Sequence, residues 1–309
     1  MTEETLERPM RAEPHRLECL EIWGGTTAVD EAVSVHGLDL NVFSRPFRDE
    51  VSGGDVYLVS MCGAGNITRI MLADVAGHGT VASSLGRSLR RLMRKHITTA
   101  DQTQLARELN REFTRRSREG RFATAVLATY FAPTDHLTVV NAGHPPPLWY
   151  RSDRETWELL EAPRPETHET ADTIQVGVSN LPLGIIEATP FAQFAVLLEP
   201  DDLVVFYTDA LIETRDADGE LLGTSGLLEL VRSVDVSAYE ALSSSIRSAL
   251  EALRGGEAPD DDLTVLVLHH NAADPPRLSI GERLRVLGRM MGVGRIDPPT
   301  LEDGRLAIS

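Results

Sequence analysis

Cysteine is nearly absent: Cys19 and Cys62 are the only two among 309 residues. That is too few for a disulfide scaffold, and neither sits in a paired metal-ligand spacing, so both are expected to be reduced, inert thiols. Positive charge is also in short supply. Thirty Lys plus Arg face 47 Asp plus Glu, which argues against a general affinity for nucleic-acid phosphates and leaves protein as the expected macromolecular partner. No apolar run approaches the roughly 20 residues that a bilayer span requires; the longest candidates are strand-length pieces such as Leu203 to Tyr207. Met1 to Arg16 is polar and of mixed charge, without the apolar centre of a secretory signal, so no membrane contact and a cytoplasmic location are expected. With 42% hydrophobic and 25% charged residues, the composition excludes a wholly disordered or fibrous chain.

What is present is a succession of short alternating segments. Val56 to Met61 and Thr68 to Ala73 read as a hairpin across the turn at Cys62 to Asn66. After Gly77-His78-Gly79, Leu85, Leu89, Leu92 and Met93 share one helical face, with basic residues over much of the other. A second helix is expected over Gln102 to Arg118, then a meander of Ala123 to Phe131 and Leu137 to Asn141 about the turn Pro133-Thr134-Asp135. Ala162 to Asp172 reads as a surface loop. Phe191 to Leu198 and Asp202 to Thr208 are expected to form a further strand pair, followed by helices over Ser225 to Arg232 and Tyr239 to Leu253 and a closing strand at Leu263 to Leu268. Leu17 to Val42 shows no clear period. This tally predicts an α+β sandwich of two mainly antiparallel sheets flanked by helices. The expected organisation is a lead-in at 1–39, one domain at 40–270 and a tail at 271–309 in which Ile280, Leu284, Leu287 and Met291 mark a short amphipathic helix.

Four aspartates stand where predicted strands begin or end: Asp55, Asp74, Asp209 and Asp261. If Met61 pairs with Thr68, the antiparallel register also sets Asp55 opposite Asp74, since both index sums are the same. Asp209 closes one strand and Asp261 opens another, so a second pair can meet at a common edge. Carboxylates so close together repel unless a cation neutralises them, and oxygen-only ligation suits hard ions such as Mg²⁺ or Mn²⁺. Read from spacing alone, solvated turn aspartates explain the same residues equally well.

In chain order, Ser52-Gly53-Gly54-Asp55, Asp74-Val75-Ala76-Gly77-His78-Gly79, Asn141-Ala142-Gly143-His144-Pro145, Leu181-Pro182-Leu183-Gly184, Tyr207-Thr208-Asp209 and Asp261-Asp262-Leu263-Thr264 resemble the bacterial branch of the PP2C-type phosphatases, the group of SpoIIE, RsbU and RsbP. The resemblance spans roughly residues 40 to 270. It implies an α-β-β-α sandwich with a centre of two Mn²⁺ or Mg²⁺ ions between the sheets. By position, Asp74 would bridge both ions, Val75 would add its backbone carbonyl, Asp209 and Asp261 would complete one ion, and Asp55 would help hold the other; Asp262 replaces Asp261 if the final motif is shifted by one. The implied reaction is hydrolysis of phosphoserine or phosphothreonine by metal-activated water, with Asp74 and Asp209 acting through the metals.

Further expectations attach to the same motifs. His78 and His144 could act as general acids, or could cap and order their turns. Arg45 and Arg48 could meet phosphate or remain solvated. Ala210 stands where the family usually has Gly, and would be strained if the position needs φ > 0. The implied substrate is a phosphorylated regulatory protein of the anti-sigma antagonist (STAS) type, with a possible activating protein on the helices spanning 81–118; a separate protein, the tail or dimerisation would provide control. The competing readings are a non-catalytic binding module of the same fold and a hydrolase of small phosphoesters.

Overall fold

The computed structural model describes residues 15–17, 21–62, 65–117, 120–162, 179–215, 219–255 and 261–273. In chain order the elements are β1 (His15–Arg16), β2 (Ile22–Gly25), β3 (Val29–Val35), β4 (Leu38–Arg45), β5 (Val56–Cys62), β6 (Ile67–Val75), α1 (Gly79–Lys95), α2 (Gln102–Arg116), β7 (Ala123–Phe131), β8 (His136–Ala142), β9 (Leu148–Arg151), β10 (Thr156–Leu159), β11 (Phe194–Leu197), β12 (Leu203–Tyr207), α3 (Gly223–Arg232), α4 (Tyr239–Leu253) and β13 (Leu263–His270). Two sheets result, one ordered β1-β3-β4-β13-β12-β9-β10 and the other β11-β8-β7-β6-β5-β2. All pairings are antiparallel except the short β1–β3 contact. The α+β sandwich expected from the sequence is therefore the fold.

Strand alternation sorts the apolar residues into three layers. Val59, Leu72, Val126, Phe206 and Leu266 meet between the sheets, as the inward faces of packed sheets must. Leu58, Met71 and Leu127 turn outward beneath Leu89, Met93, Leu105 and Leu109 of α1 and α2, and Val205, Val265 and Val267 lie beneath Leu227, Leu242 and Ile246 of α3 and α4. Fully burying each such side chain contributes about 1.5–3 kcal/mol. The α2 N-terminus is closed by Asp101, whose Oδ1 accepts from the backbone N–H groups of Thr103 at 2.8 Å and Gln104 at 3.0 Å.

Two expectations need correction. Phe194–Leu197 does not pair with Leu203–Tyr207: β11 lies beside β8, whereas β12 is central in the other sheet between β13 and β9. Every residue of β12 is buried, which demands a partner on each edge and cover on both faces, while half-buried β11 is an edge strand. Residues 22–39, assigned from sequence to the lead-in, supply β2, β3 and the start of β4, so residue 40 falls inside the sandwich. The polar run Asp30-Glu31 on exposed positions of β3 hides its period. The tail helix and nearly all of the Ala162 to Asp172 loop lie outside the described residues. Among the described residues no helix is long and apolar enough to cross a membrane.

Candidate metal centre

The β5–β6 hairpin has the register expected from its turn, with Met61 opposite Thr68 and Val56 opposite Ala73. The next pair in the same register is Asp55 and Asp74, at one end of the sheet. From the facing sheet, β12 delivers Asp209 into the 3₁₀ turn Asp209–Leu211, and Asp261 precedes β13. The four side chains influence one another's ionisation. Burial, then the charges of Asp55, Asp209 and Asp261, push Asp74 well above the ordinary carboxylate range. Burial and then Asp262 do the same to Asp55. Asp209 is pushed up to about 6 by burial, Glu213 and Asp261, and its carboxyl lies within hydrogen-bonding reach of Asp74. Asp261 is raised by burial and by Asp262. All four predicted aspartates are thus brought within electrostatic reach of one another at one end of the sandwich.

Asp55 shows how the site is built. Its Oδ2 accepts from Thr208 Oγ1 at 3.0 Å and Thr264 Oγ1 at 2.6 Å, while Oδ1 is buried with no hydrogen-bond partner. An orphaned, buried carboxylate oxygen beside three further carboxylates costs free energy unless a cation meets it. The donor set is hard oxygen throughout, which fits Mg²⁺ or Mn²⁺. The Val75 carbonyl faces the same place: a Cβ built on Gly54 would stand 3.0 Å from its oxygen. A second group of possible ligands, His96, Glu108 and Glu112, gathers on the α1–α2 pair. That second cluster is already neutralised by Lys95, Arg116 and Arg111.

Asp262, the alternative ligand, is committed elsewhere. Its Oδ1 accepts from the Phe47 N–H at 2.7 Å and its Oδ2 from the Gly54 N–H at 2.5 Å, so one buried carboxylate bolts both feet of the 46–54 loop. A Cβ on Gly53 would lie 2.5 Å from the same carboxylate, so this glycine is required for close approach. Asp261 keeps one oxygen on the Asp262 N–H at 2.8 Å and is otherwise open.

His144 is buried, its Nδ1 is 2.8 Å from Thr124 Oγ1, and its backbone N–H and C=O are clipped by the Asn141 side chain at 2.7 and 2.9 Å. Burial lowers its pKa to about 4, so the ring is uncharged at pH 7 and orders the turn. His78 occupies the N-cap position of α1 without a side-chain capping bond and packs 5.3 Å from the Phe47 ring. Arg48 has φ 46° and lies 4.8 Å over Phe47. Ala210 is not among the residues with positive φ, so the strain considered for it does not arise. The Leu-Pro-Leu-Gly segment, whose role the sequence leaves open, is held by Asn110: its Oδ1 accepts from the Gly184 N–H at 2.9 Å and its Nδ2 donates to the Ile186 and Glu187 carbonyls at 2.8 and 3.1 Å. Sequence reasoning missed Asn110, Thr208 and Thr264; the two threonines could have been found from their places beside motif aspartates.

Two face-to-face antiparallel sheets between helix pairs, with a ring of aspartates at one end, define the PP2C-type sandwich. Comparison with known proteins agrees. The family model for Stage II sporulation protein E (SpoIIE) matches residues 64–271, about two thirds of the chain, and the chain belongs to that family. It is 26% identical over 232 residues to phosphoserine phosphatase RsbU of Bacillus subtilis, covering 75% of this chain and 63% of RsbU. With phosphoserine phosphatase RsbP of the same organism it shares 24% over 198 residues, 62% of this chain and 43% of RsbP. The chain thus spans less than two thirds of these relatives. Among solved structures it resembles the RsbU and RsbW domains of Mycobacterium tuberculosis Rv1364c, with TM-score 0.63, 23% identity, and 85% of this chain and 70% of that one covered. It also resembles the PP2C phosphatase domain of Bacillus subtilis SpoIIE with a fragment of its regulatory domain, with TM-score 0.62, 16% identity, and 76% and 64% covered.

Proposed function

We propose that the chain is a metal-dependent protein serine/threonine phosphatase of the cytoplasm, acting on a phosphorylated regulatory protein of the anti-sigma antagonist type. The observation that carries the reading is the buried, unpartnered Asp55 Oδ1 beside Asp74, Asp209 and Asp261, supported by the similarity to two phosphoserine phosphatases. Asp74 and Asp209 would each serve as ligand, with Asp55, Asp261 and the Val75 carbonyl completing a centre for two Mn²⁺ or Mg²⁺ ions. Bound there, such ions supply an activated water near neutral pH and neutralise phosphoryl oxygens.

The chain's own groups do the rest. Thr208 and Thr264 donate to one oxygen of Asp55 and so fix the direction of its carboxyl, partly offsetting the rise in pKa that burial and Asp262 impose. Asp262 fixes the 46–54 loop beside it. Neutral, buried His144 leaves His78, exposed on the mouth of the cleft, as the imidazole that can hand a proton to the departing serine oxygen. Helices α1 and α2 present the surface for an activating protein.

The test is release of p-nitrophenol from p-nitrophenyl phosphate with Mn²⁺, Mg²⁺ or EDTA, for the wild type, Asp74→Asn and Asp209→Asn. Metal-dependent turnover in the wild type that vanishes in both variants upholds the reading. An inactive wild type with no calorimetric Mn²⁺ binding would leave a binding module of phosphatase fold in its place.

A further inference from the structure

Helix α1 begins at the candidate centre and leads away from it. Its N-cap His78 lies within electrostatic reach of Asp261. Gly86 and Ala82 pack on the Ser-Gly-Gly-Asp turn: a Cβ on Gly86 would be 3.0 Å from the Gly54 carbonyl oxygen. From Gly86 the helix runs on to Lys95, roughly 14 Å at 1.5 Å per residue.

Its sequence, GTVASSLGRSLRRLMRK, holds five basic residues and no acidic one, in a chain of net charge −17. Arg90 is turned inward, donating to the Gly24 carbonyl at 2.6 Å. Arg87, Arg91, Arg94 and Lys95 are exposed and share one stripe at helical spacing. Lys95 is paired with Glu112; Arg91 and Arg94 have no ion pair among the described residues. Arg87 reaches the Ser52 hydroxyl at 3.4 Å, beside Val51, which is 88% exposed, while Val81 on the first turn of the helix is 48% exposed. The surface is apolar at the mouth of the cleft and cationic along the track leading from it.

Resting on the phosphatase reading, we infer that this stripe is the docking track for the substrate protein, which meets it with an acidic face flanking the phosphorylated residue. Charge complementarity decides the occupant. The chain's net charge of −17 disfavours an acidic protein overall, so a local cationic stripe both steers such a partner and sets its orientation at the site. Nucleic acid offers the same sign of charge, but the rest of the molecule opposes a long polyanion.

Two phosphoserine peptides serve as probes, one flanked by Asp and Glu and one by Ser and Gly, with p-nitrophenyl phosphate as the small substrate. At 50 mM salt the wild type should prefer the acidic peptide by about tenfold in kcat/KM, and the preference should fall to about twofold or less at 500 mM. In Arg91→Gln/Arg94→Gln the preference should approach one, mainly through KM, with p-nitrophenyl phosphate turnover unchanged and the thermal midpoint within about 2 °C of the wild type. Equal kcat/KM for both peptides in the wild type, or a preference that survives the substitutions, overturns the inference. So does a 20-base-pair DNA duplex that displaces the labelled acidic peptide at lower concentration than the unlabelled peptide does. If no substrate is turned over, the phosphatase reading has failed, and fluorescence anisotropy of the unphosphorylated acidic peptide still judges the track: binding lost in the double variant upholds it, and absence of binding to the wild type sinks it.

Discussion

Replacing Asp262 with Asn should cost the metal-free protein about 2 kcal/mol, whereas Asp261→Asn should leave it as stable as the wild type or slightly more so. The difference follows from what each carboxylate touches. Asp262 accepts two backbone N–H groups, from Phe47 at 2.7 Å and Gly54 at 2.5 Å, and hydrogen bonds to a charged group contribute about 1.5–3 kcal/mol each. The amide can keep one of them; its NH₂ then faces the other donor, so one bond is lost and a buried N–H is left unsatisfied, together about 3 kcal/mol. Against this, removing the Asp262 charge relieves Asp55, for which it is the largest cause of the raised pKa after burial, returning on the order of 1 kcal/mol. The hydrogen-bond loss wins.

Asp261 is half-buried and its one backbone bond, from the Asp262 N–H at 2.8 Å, survives in the amide; losing its charge relieves repulsion from Asp262 and Glu213. Denaturant unfolding in EDTA at pH 7.5 reads stability, with a drop of about 4–8 °C in the midpoint of thermal melts for Asp262→Asn alone. Mn²⁺ calorimetry reads the centre: affinity should fall at least about tenfold in Asp261→Asn and far less in Asp262→Asn. An Asp262→Asn protein that is fully stable in EDTA but binds no Mn²⁺ would refute the reasoning and move the final ligand one residue along.

Gly53→Ala places a methyl 2.5 Å from the Asp262 carboxylate; a loss of about 1–3 kcal/mol is expected, and equal urea midpoints for variant and wild type would show that the 46–54 loop yields freely. Asn110→Ala removes three hydrogen bonds to the 184–187 turn and should cost about 2–4 kcal/mol, with hydrogen exchange accelerated at Gly184 rather than across the sheets; unchanged exchange there would refute the clamp. Asp209 has a folded pKa of about 6, raised mainly by burial, against an unfolded value near 3.9. Its contribution is therefore greatest below about pH 4 and is lost as pH rises through 6. In EDTA the wild type should gain about 1 kcal/mol relative to Asp209→Asn on going from pH 7 to pH 5, after allowance for solvent screening, and a difference of the opposite sign would exclude this assignment. Saturating Mn²⁺, at about 100 times its dissociation constant, should stabilise the wild type by about 2.7 kcal/mol at pH 7 and erase the gain.

How far such features are legible in a sequence depends on whether they are local. The strand Ala123–Phe131 and the helix Tyr239–Leu253 appear with the bounds their periodicity implies, because each is a long segment whose apolar residues face one layer. The meeting of Asp55 with Asp74 was readable from index sums across one hairpin. By contrast, β11 lies in one sheet and β12 in the other, since a short Glu199-Pro200-Asp201 connection serves equally well to turn back along a sheet or to cross between two. Within the site the same limit applies at the scale of single atoms. Asp261 and Asp262 are chemically identical neighbours, and no pattern of residue types separates a carboxylate free to meet a cation from one already consumed by backbone donors. What separates them is that Phe47 and Gly54, over 200 positions away in the chain, bring their N–H groups to one of the two. A motif of paired aspartates therefore marks where candidate ligands are, while only the course of a distant loop decides which of the pair is left uncommitted.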